Sequence, residues 1–104
     1  MPTRYRILFS ARAAADLASI HQYIQRDSPQ NATSVAAELV VAVDSLELLP
    51  HRYPIYQGRG NAMREVRRMP VPPFLIYYRI DDARSAVGVI TIRHDKQRPP
   101  KRFS

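Results

Sequence analysis

Residues 74–92 read FLIYYRIDDARSAVGVITI, and most of the predicted sheet follows from them. In a strand over residues 74–80 every second side chain lies on the same face. Four apolar side chains therefore share one face: Phe74, Ile76, Tyr78 and Ile80. The Asp-Asp-Ala-Arg-Ser segment at residues 81–85 is typical of a hairpin turn. Small and β-branched residues over 86–92 predict a second strand, buried on both sides. The stretch therefore predicts a β-hairpin.

Upstream of this hairpin the chain predicts a loop and one more strand. Residues 51–61 contain two tyrosines and the sequence Gly58-Arg59-Gly60, a composition that predicts a loop. Residues 62–69 predict a charged strand. We expect Pro70, Pro72 and Pro73 to break this strand, because proline cannot donate to a β-ladder.

The start of the chain predicts an edge strand at residues 4–9, followed by a helix. Ser10 stands where a helix N-cap is expected, since its hydroxyl can accept from a free amide of the first turn. Apolar residues then recur at intervals of three or four and form one stripe: Ala13, Leu17, Ile20 and Ile24.

A second helix is predicted directly after the first. Asp27-Ser28-Pro29 combines a capping side chain with a proline at the first helical position. The stripe that follows consists of Ala32, Val35, Ala36, Leu39, Val43 and Leu46. We expect this helix to end at Leu49-Pro50. The short link predicts an antiparallel helical hairpin with one apolar face.

The elements together predict the order βααβββ. This is an α+β fold in which the helical hairpin packs on a small, mainly antiparallel sheet. A length of 104 residues is typical of one hydrophobic core. We therefore expect a single domain over residues 1–104, with a basic C-terminal tail over about 94–104.

Composition excludes several classes of protein. The chain has no cysteine, which excludes disulfides, thiolate metal sites and cysteine nucleophiles. No apolar run is long enough for a signal peptide or a membrane span, so we expect a cytoplasmic protein without a membrane partner. There is no Gly-rich phosphate loop, no histidine pair at metal spacing and no serine elbow. The residues thus predict no cofactor, no metal and no catalytic group.

The charge distribution is uneven. The net charge is +7, and fourteen of the sixteen basic residues are arginine. Residues 62–104 hold ten basic and four acidic residues, against six and five in residues 1–61. A basic half on a small domain favours a polyanionic partner, either nucleic acid or an acidic protein. A merely arginine-rich surface is the alternative interpretation.

Most of these basic residues lie on or just beyond the predicted strands: Arg64, Arg67, Arg68, Arg79, Arg93, Lys96 and Arg98. Neighbouring strands can bring such residues together to hold a phosphate backbone or an acidic segment. Of the three histidines, only His94 lies where a site is expected, and a structural role is equally open to it. Tyr77 and Tyr78 point to opposite faces, so at most one of them can stack on a base.

Six segments, in this order and spacing, resemble the RelE/ParE superfamily of plasmid-stabilisation toxins. They are Ala14-x-Asp16-Leu17-x-x-Ile20-x-x-Tyr23-Ile24, Ser28-Pro29-x-x-Ala32, Leu46-x-x-x-Pro50-x-x-Tyr53-Pro54, Arg64-Glu65-Val66, Phe74-Leu75-Ile76-Tyr77-Tyr78-Arg79, and Ile92-Arg93-His94 with Arg98 beyond. The resemblance covers nearly the whole chain. It is greatest to the ParE branch, whose members inhibit DNA gyrase by binding. RelE-like members instead cleave mRNA on the ribosome.

The resemblance to the nuclease branch fails at the positions that carry its chemistry. Leu75 stands where such nucleases have an arginine, and Val66 and Arg68 stand where they have lysines. Phe103 offers no hydroxyl in place of their terminal tyrosine. Arginine is a poor general base because it does not lose its proton. A binding toxin without a catalytic step is therefore expected.

The resemblance also implies partners and the residues that contact them. A cognate antitoxin, ParD-like, would form a hetero-oligomer with the toxin by folding over the groove between the helical hairpin and the sheet edge. The antitoxin contacts, or a general basic patch, are expected at Arg64, Arg67, Arg68 and Arg79. The gyrase contacts are expected at Arg93, His94, Lys96, Arg98 and Phe103.

Two other functions stay open. A RelE-like endoribonuclease would use Arg64, Arg68, Arg79 and His94, and an inactive relative would only bind the antitoxin. Direct binding of nucleic acid is likewise left open.

Overall fold

The computed structural model describes residues 3–103. Met1, Pro2 and Ser104, which belong to the predicted domain and tail, lie outside the described residues. The helices and strands are β1 (Arg6–Phe9), α1 (Ala11–Gln25), α2 (Pro29–Asp44), β2 (Ile55–Gln57), β3 (Val66–Val71), β4 (Phe74–Asp81) and β5 (Ala86–His94). Two turns of 3₁₀ helix, Ser45–Glu47 and Pro50–Arg52, follow α2.

The five strands form one sheet in the order β1-β5-β4-β3-β2. Strand β1 runs parallel to β5, and the other three pairings are antiparallel. The helical hairpin between β1 and β2 packs on one face of the sheet, with α1 against β5. The predicted α+β class, with a helical hairpin on a mainly antiparallel sheet, is confirmed.

Both helices begin at the predicted serine. The hydroxyl of Ser10 accepts from the backbone N–H of Ala13 at 2.9 Å, and that of Ser28 accepts from Asn31 at 3.4 Å. Each bond satisfies one amide that a helix start leaves free. Pro29 occupies the start of α2, where its missing N–H has no cost. No helix within residues 3–103 is long and apolar enough to cross a membrane.

The main core lies between the helices and the sheet. Both predicted stripes reach it, and β4 contributes the alternating residues of its inner face. Its buried members are Ala13, Leu39, Val43, Leu46, Met69, Phe74, Ile76, Tyr78, Val87, Val89 and Ile92. A second, smaller cluster covers the face of the sheet away from the helices, which we call the open face. It consists of Val66, Tyr77, Ile90 and Phe103, with Leu75 packed against it.

Several predicted boundaries are wrong. Strand β1 begins at Arg6 and not at residue 4. Residues 51–61 are not all loop, because Ile55–Gln57 pair with β3. Helix α2 ends at Asp44, where the chain tightens into the 3₁₀ turn Ser45–Glu47, and Arg52 Nη1 binds the carbonyl oxygens of Ser45, Leu48 and Leu49 beyond it. The remaining two corrections concern β3 and β5.

Strand β3 begins at Val66 and includes Pro70, which pairs with Leu75. Proline is tolerated there because β2 pairs only with the start of β3, which leaves Pro70 beside a free edge. Strand β5 continues two residues past its predicted end, to His94, because it stays paired with β4 as far as Phe74. His94, the first residue of the predicted tail, therefore belongs to the sheet.

Beyond Val89, strand β5 has no neighbouring strand on its outer side. Side chains from α1 and its N-cap residue form hydrogen bonds with the β5 backbone there instead. The Ser10 hydroxyl donates to the carbonyl oxygen of Ile90 at 2.7 Å. One carboxylate oxygen of Asp16 accepts from the Ile92 backbone N–H at 3.0 Å and from the Thr91 hydroxyl. These bonds satisfy the exposed edge of β5 and fix α1 against it.

Tyr78 gives a direct test of the core. Its buried hydroxyl donates to the carbonyl oxygen of Pro50 at 2.6 Å, and burial raises the pKa of Tyr78 to about 12. We expect Tyr78→Phe to lower the free energy of unfolding by about 1 kcal/mol at neutral pH, because the Pro50 carbonyl loses its donor.

Tyr78→Phe should also change how the free energy of unfolding depends on alkaline pH. In the native protein the raised pKa contributes stability that is complete below the unfolded value of about 10 and is lost as pH rises toward 12. Urea denaturation at a series of pH values should show a larger loss in the native protein than in Tyr78→Phe. Tyr23→Phe, at an exposed helix position, is the control and should behave like the native protein. Equal alkaline losses in Tyr78→Phe and the native protein would contradict the assignment.

Candidate functional site

A shallow apolar groove runs along the outside of the helical hairpin. It has a volume of about 520 Å³. Its lining residues come from β1, α1 and α2 and include Phe9, Ala14, Leu17, Ala18, His21 and Val40. Phe9 and Val40 are each 38% exposed, so the groove presents apolar surface that the core does not use. Such a surface fits the apolar side of a peptide or helix.

The predicted basic patch is divided between the two faces of the sheet. Arg67 faces the helices, where its Nη1 donates to the carbonyl oxygens of His51 (3.0 Å) and Tyr53 (2.6 Å). Arg67 therefore holds the 3₁₀ turn after α2 in place beside Tyr78. Arg64 is exposed in the turn before β3. The structure does not bring Arg64 and Arg67 together with the other two arginines in one site.

Arg68 and Arg79 lie on the open face, where both contact other parts of the chain. The Arg68 guanidinium lies over the Tyr56 ring, 4.6 Å from its centroid. Arg79 Nη1 donates to the carbonyl oxygen of Phe103 at 2.6 Å. The Nε atom of Arg79 is buried without an acceptor among the described residues, as is Nε of Arg93. This face is therefore rich in donors that lack carboxylate partners.

The C-terminal tail folds back over the open face. Phe103 is only 4% exposed, and its ring lies 5.1 Å from the Tyr77 ring and 6.1 Å from the Tyr56 ring. Arg12 Nη1 binds the carbonyl oxygen of Arg102 at 3.0 Å, which gives the tail a second attachment. Phe103, predicted as a target contact, thus packs inside the small cluster, and its ring can reach a partner only if the tail leaves the sheet.

The other predicted target contacts surround the point where β5 ends. Arg93 and His94 are half-buried, while Lys96 and Arg98 are exposed. Nδ1 of His94 lies 3.1 Å from the Lys96 backbone nitrogen, and its ring packs edge-on against Phe74 at 5.5 Å. His94 therefore shapes the tight turn that starts the tail. Its nearest charged neighbour is Asp95, 3.1 Å from Nδ1.

Sequence reasoning missed a cluster at the other end of the sheet. One carboxylate oxygen of Asp82 accepts from the Tyr5 hydroxyl at 2.7 Å, and the other lies 3.1 Å from His51 Nε2. The Tyr5 hydrogen bond is the largest effect that lowers the pKa of Asp82, followed by the His51 bond. The hydrogen bond to Asp82 also raises the pKa of Tyr5. His51, expected in a free loop, is thus anchored to the β4–β5 turn. The two segments are far apart in the sequence, so the spacing of residues along the chain does not indicate this contact.

The open face offers little that could activate water or a hydroxyl. Val66 and Leu75, which stand where the resemblance places nuclease cations, pack in the small cluster with Phe103. Tyr77 and Tyr78 are both fully buried, so neither can stack on a base. Within residues 3–103, no group of three or more histidine or acidic residues is placed to hold a metal ion.

A family model described as the ParE toxin of the type II toxin–antitoxin system parDE matches residues 7–99. The chain belongs to the ParE toxin family. It is thus the toxin component of a type II toxin–antitoxin system, and the resemblance over nearly the whole chain is confirmed. The toxin RelE2 of Caulobacter vibrioides is 35% identical over 89 residues, which are 86% of this chain and 93% of that protein.

Two solved structures share the fold of this ParE-family toxin. A chain of the chromosomal ParDE system from P. aeruginosa superposes with a TM-score of 0.71 at 18% identity, over 88% of this chain and 97% of that one. A chain of the RelBE2 toxin–antitoxin complex from Mycobacterium tuberculosis gives a TM-score of 0.62 at 19% identity, over 88% and 92% of the two chains. Both RelE and ParE toxins therefore share this architecture.

The packing of Phe103 can be tested by stability. We expect Phe103→Ala to lower the free energy of unfolding by about 3 kcal/mol, because it removes a buried ring from the small cluster. Phe103→Leu should cost less than half as much, since it keeps most of the apolar contact. Urea denaturation measures both, with the exposed Lys101→Ala as control. An unchanged midpoint in Phe103→Ala would mean that the tail does not pack on the sheet.

Proposed function

We propose that this ParE-family toxin inhibits DNA gyrase by binding it, without a catalytic step, and that a ParD-like antitoxin neutralises it. The observation that carries the proposal is the apolar packing at the nuclease positions. Val66, Leu75 and Phe103 lie together on the open face, where a ribonuclease would need groups that hold a phosphate and transfer protons.

The remaining basic residues of this face do not replace those groups. Arg68 and Arg79 are engaged by Tyr56 and by the tail. Arginine keeps its proton at physiological pH and so cannot act as the general base. His94 is the one imidazole on this part of the chain, and its Nδ1 is occupied by the turn to Lys96. These contacts favour binding over cleavage.

The tail is the surface that we assign to the gyrase contact. Lys96, Arg98, Lys101 and Arg102 are exposed, and none of them pairs with a carboxylate within residues 3–103. Unpaired surface charge of one sign steers association with an oppositely charged protein surface. Because Phe103 packs on the sheet, the exposed charges can form a contact without unfolding the tail.

The first experiment combines purified toxin with gyrase and plasmid DNA, and follows both supercoiling and trapped cleavage complex. We expect inhibition by the native toxin, reversed by the antitoxin. Lys96→Glu with Arg98→Glu should weaken inhibition by roughly tenfold or more, because two attractive charges become repulsive. Arg59→Glu, a charge reversal at an exposed loop position away from the tail, should leave inhibition nearly unchanged.

These substitutions are a sharper test than removal of the tail, which would also remove Phe103 from the small cluster. Equal inhibition by the tail variant and the native toxin would contradict the tail assignment. If the native toxin leaves gyrase untouched but cleaves mRNA on induction, the endoribonuclease alternative is correct. If neither effect occurs, the chain is an inactive antitoxin partner.

The helical groove is the surface that we assign to the antitoxin. It is apolar, open and lined by exposed side chains such as Phe9 and Val40, which is the chemistry that an amphipathic segment covers when it folds on a partner. The groove lies on the helical side of the molecule, whereas the tail crosses the open face. The antitoxin and the target would therefore use different surfaces.

Ala18→Arg tests this assignment, because it places a long charged side chain in the groove from an exposed position on α1. We expect it to weaken antitoxin binding by about tenfold or more, measured by calorimetry, through a buried unpaired charge. Ala15→Arg is the matched control, since Ala15 is exposed on the same helix but does not line the groove. Equal affinities for the two variants would place the antitoxin elsewhere.

A further inference from the structure

A second groove lies at the end of the sheet opposite the start of the tail, where it includes the open face over Ala86 and Gly88 and reaches His51 and Arg67. It has a volume of about 610 Å³ and is more enclosed than the helical groove. Two rows of paired residues form its floor and walls. Leu8 and Arg79 flank Gly88 in one row, and Arg6 and Asp81 flank Ala86 in the other. Strand β5 thus contributes only small residues to the groove, and its neighbours β1 and β4 contribute larger ones.

Gly88 is unexpected at this position. It lies inside strand β5, is paired on both sides, and has no positive φ that would require glycine. A Cβ atom at Gly88 would meet nothing within 4 Å. Glycine weakens a strand interior and often marks either a bulge or a site that a ligand approaches closely, and the bulge of this ladder lies at Ile90, two residues beyond Gly88. The missing side chain leaves the backbone of β5 open between Leu8 and Arg79, which stand about 10 Å apart at two strand spacings.

The charged side chains of this groove differ in the partners that they have within the chain. Asp81 binds the Arg84 backbone N–H at 3.1 Å, and Asp82 is held by Tyr5 and His51. Glu65 accepts from the Gly60 backbone N–H at 3.3 Å. Arg6 and Arg79, by contrast, have no carboxylate partner within residues 3–103. The groove therefore holds two arginines whose charge no carboxylate neutralises within the described residues.

The rim of the groove is apolar as well as basic. Met63 is 88% exposed and Leu8 is 51% exposed, and both line the groove. A phosphate backbone gains nothing from such side chains, and Glu65, Asp81 and Asp82 on the same walls would repel a polyanion. A peptide that carries one carboxylate between apolar residues matches both the rim and the two arginines that lack a carboxylate partner.

We propose that the groove over Ala86 and Gly88 binds an extended segment of a partner protein, with an acidic side chain directed at Arg6 and Arg79 and apolar side chains against Leu8 and Met63. Gly88 permits the segment to lie close to the β5 backbone. The inference goes beyond the proposed function, because it does not depend on whether the target is gyrase or on where the antitoxin binds.

The test uses short peptides of defined sequence and the full chain labelled with nitrogen-15. Acetyl-Leu-Glu-Leu-amide is titrated while the backbone amide signals of Gly88 and Leu8 and the side-chain Nε–H signal of Arg79 are followed by NMR. We expect saturable shifts of these signals with a Kd of about 1 mM, which is typical of a tripeptide-sized contact. Acetyl-Leu-Lys-Leu-amide should cause no comparable shift.

Gly88→Val fills the groove at its floor. It should fold at least as stably as the native protein, because valine favours a strand and the added atoms enter open space. We expect it to weaken binding of the acidic peptide by at least about tenfold. Gln57→Val, at an exposed position of the short strand β2, is the matched control and should bind like the native protein.

Three outcomes would overturn the proposal. They are shifts of equal size with the basic peptide, no shift at Gly88 with the acidic one, and unchanged peptide binding in a folded Gly88→Val variant. A short oligothymidylate that shifts the same signals more strongly than the acidic peptide would instead assign the groove to nucleic acid.

Discussion

Beyond Val89, the backbone of β5 has no neighbouring strand on its outer side, and the side chains of Ser10 and Asp16 supply the hydrogen bonds that a strand would. The same Ser10 hydroxyl caps α1, so one residue ties the start of the helix to the edge of the sheet. Without these bonds the N–H of Ile92 would be unsatisfied at a cost of about 1–3 kcal/mol. The position of α1, and hence of the helical groove, depends on this contact.

Strand β5 has buried residues on both faces of the sheet, so both faces need packing partners. The helical hairpin covers one face with the main core, and the tail covers part of the other through Phe103. The tail does not reach the end of the open face near Gly88, where a groove stays open. Because the two faces of the sheet are packed differently, the molecule has three surfaces of different chemistry: an apolar groove on the helices, a basic tail, and a mixed groove on the sheet.

Local signals in the sequence predicted most of the architecture. The caps at Ser10 and Ser28, the helical stripes and the 81–85 turn are short-range features whose physics lies within a few residues. The errors arose where a distant partner decides the outcome. Pro70 stays in a strand only because β2 pairs so little of β3, and the short strand β2 exists only through that pairing.

The site was harder to predict for the same reason. Arg67 and Phe103 looked like contact residues because one is charged and the other lies in a basic tail. The structure gives Arg67 two carbonyl oxygens fourteen or more residues away and buries Phe103 beside Tyr77. A lone phenylalanine after Pro99-Pro100 in a charged tail was the one available signal that the tail docks on the domain. Gly88 carried a signal too, since a glycine inside a β-branched strand has an energetic cost that packing does not explain.

The tail is attached in part through main-chain atoms. Arg12 and Arg79 bind the carbonyl oxygens of Arg102 and Phe103, and every residue type has such an oxygen. The exposed side chains between His94 and Phe103 therefore contribute little to the attachment and are free to diversify. A lineage of such toxins can change the charge and shape that the tail presents while the domain beneath it keeps its stability. Selection for a new partner and selection for a stable fold thus act on separate atoms of the same segment.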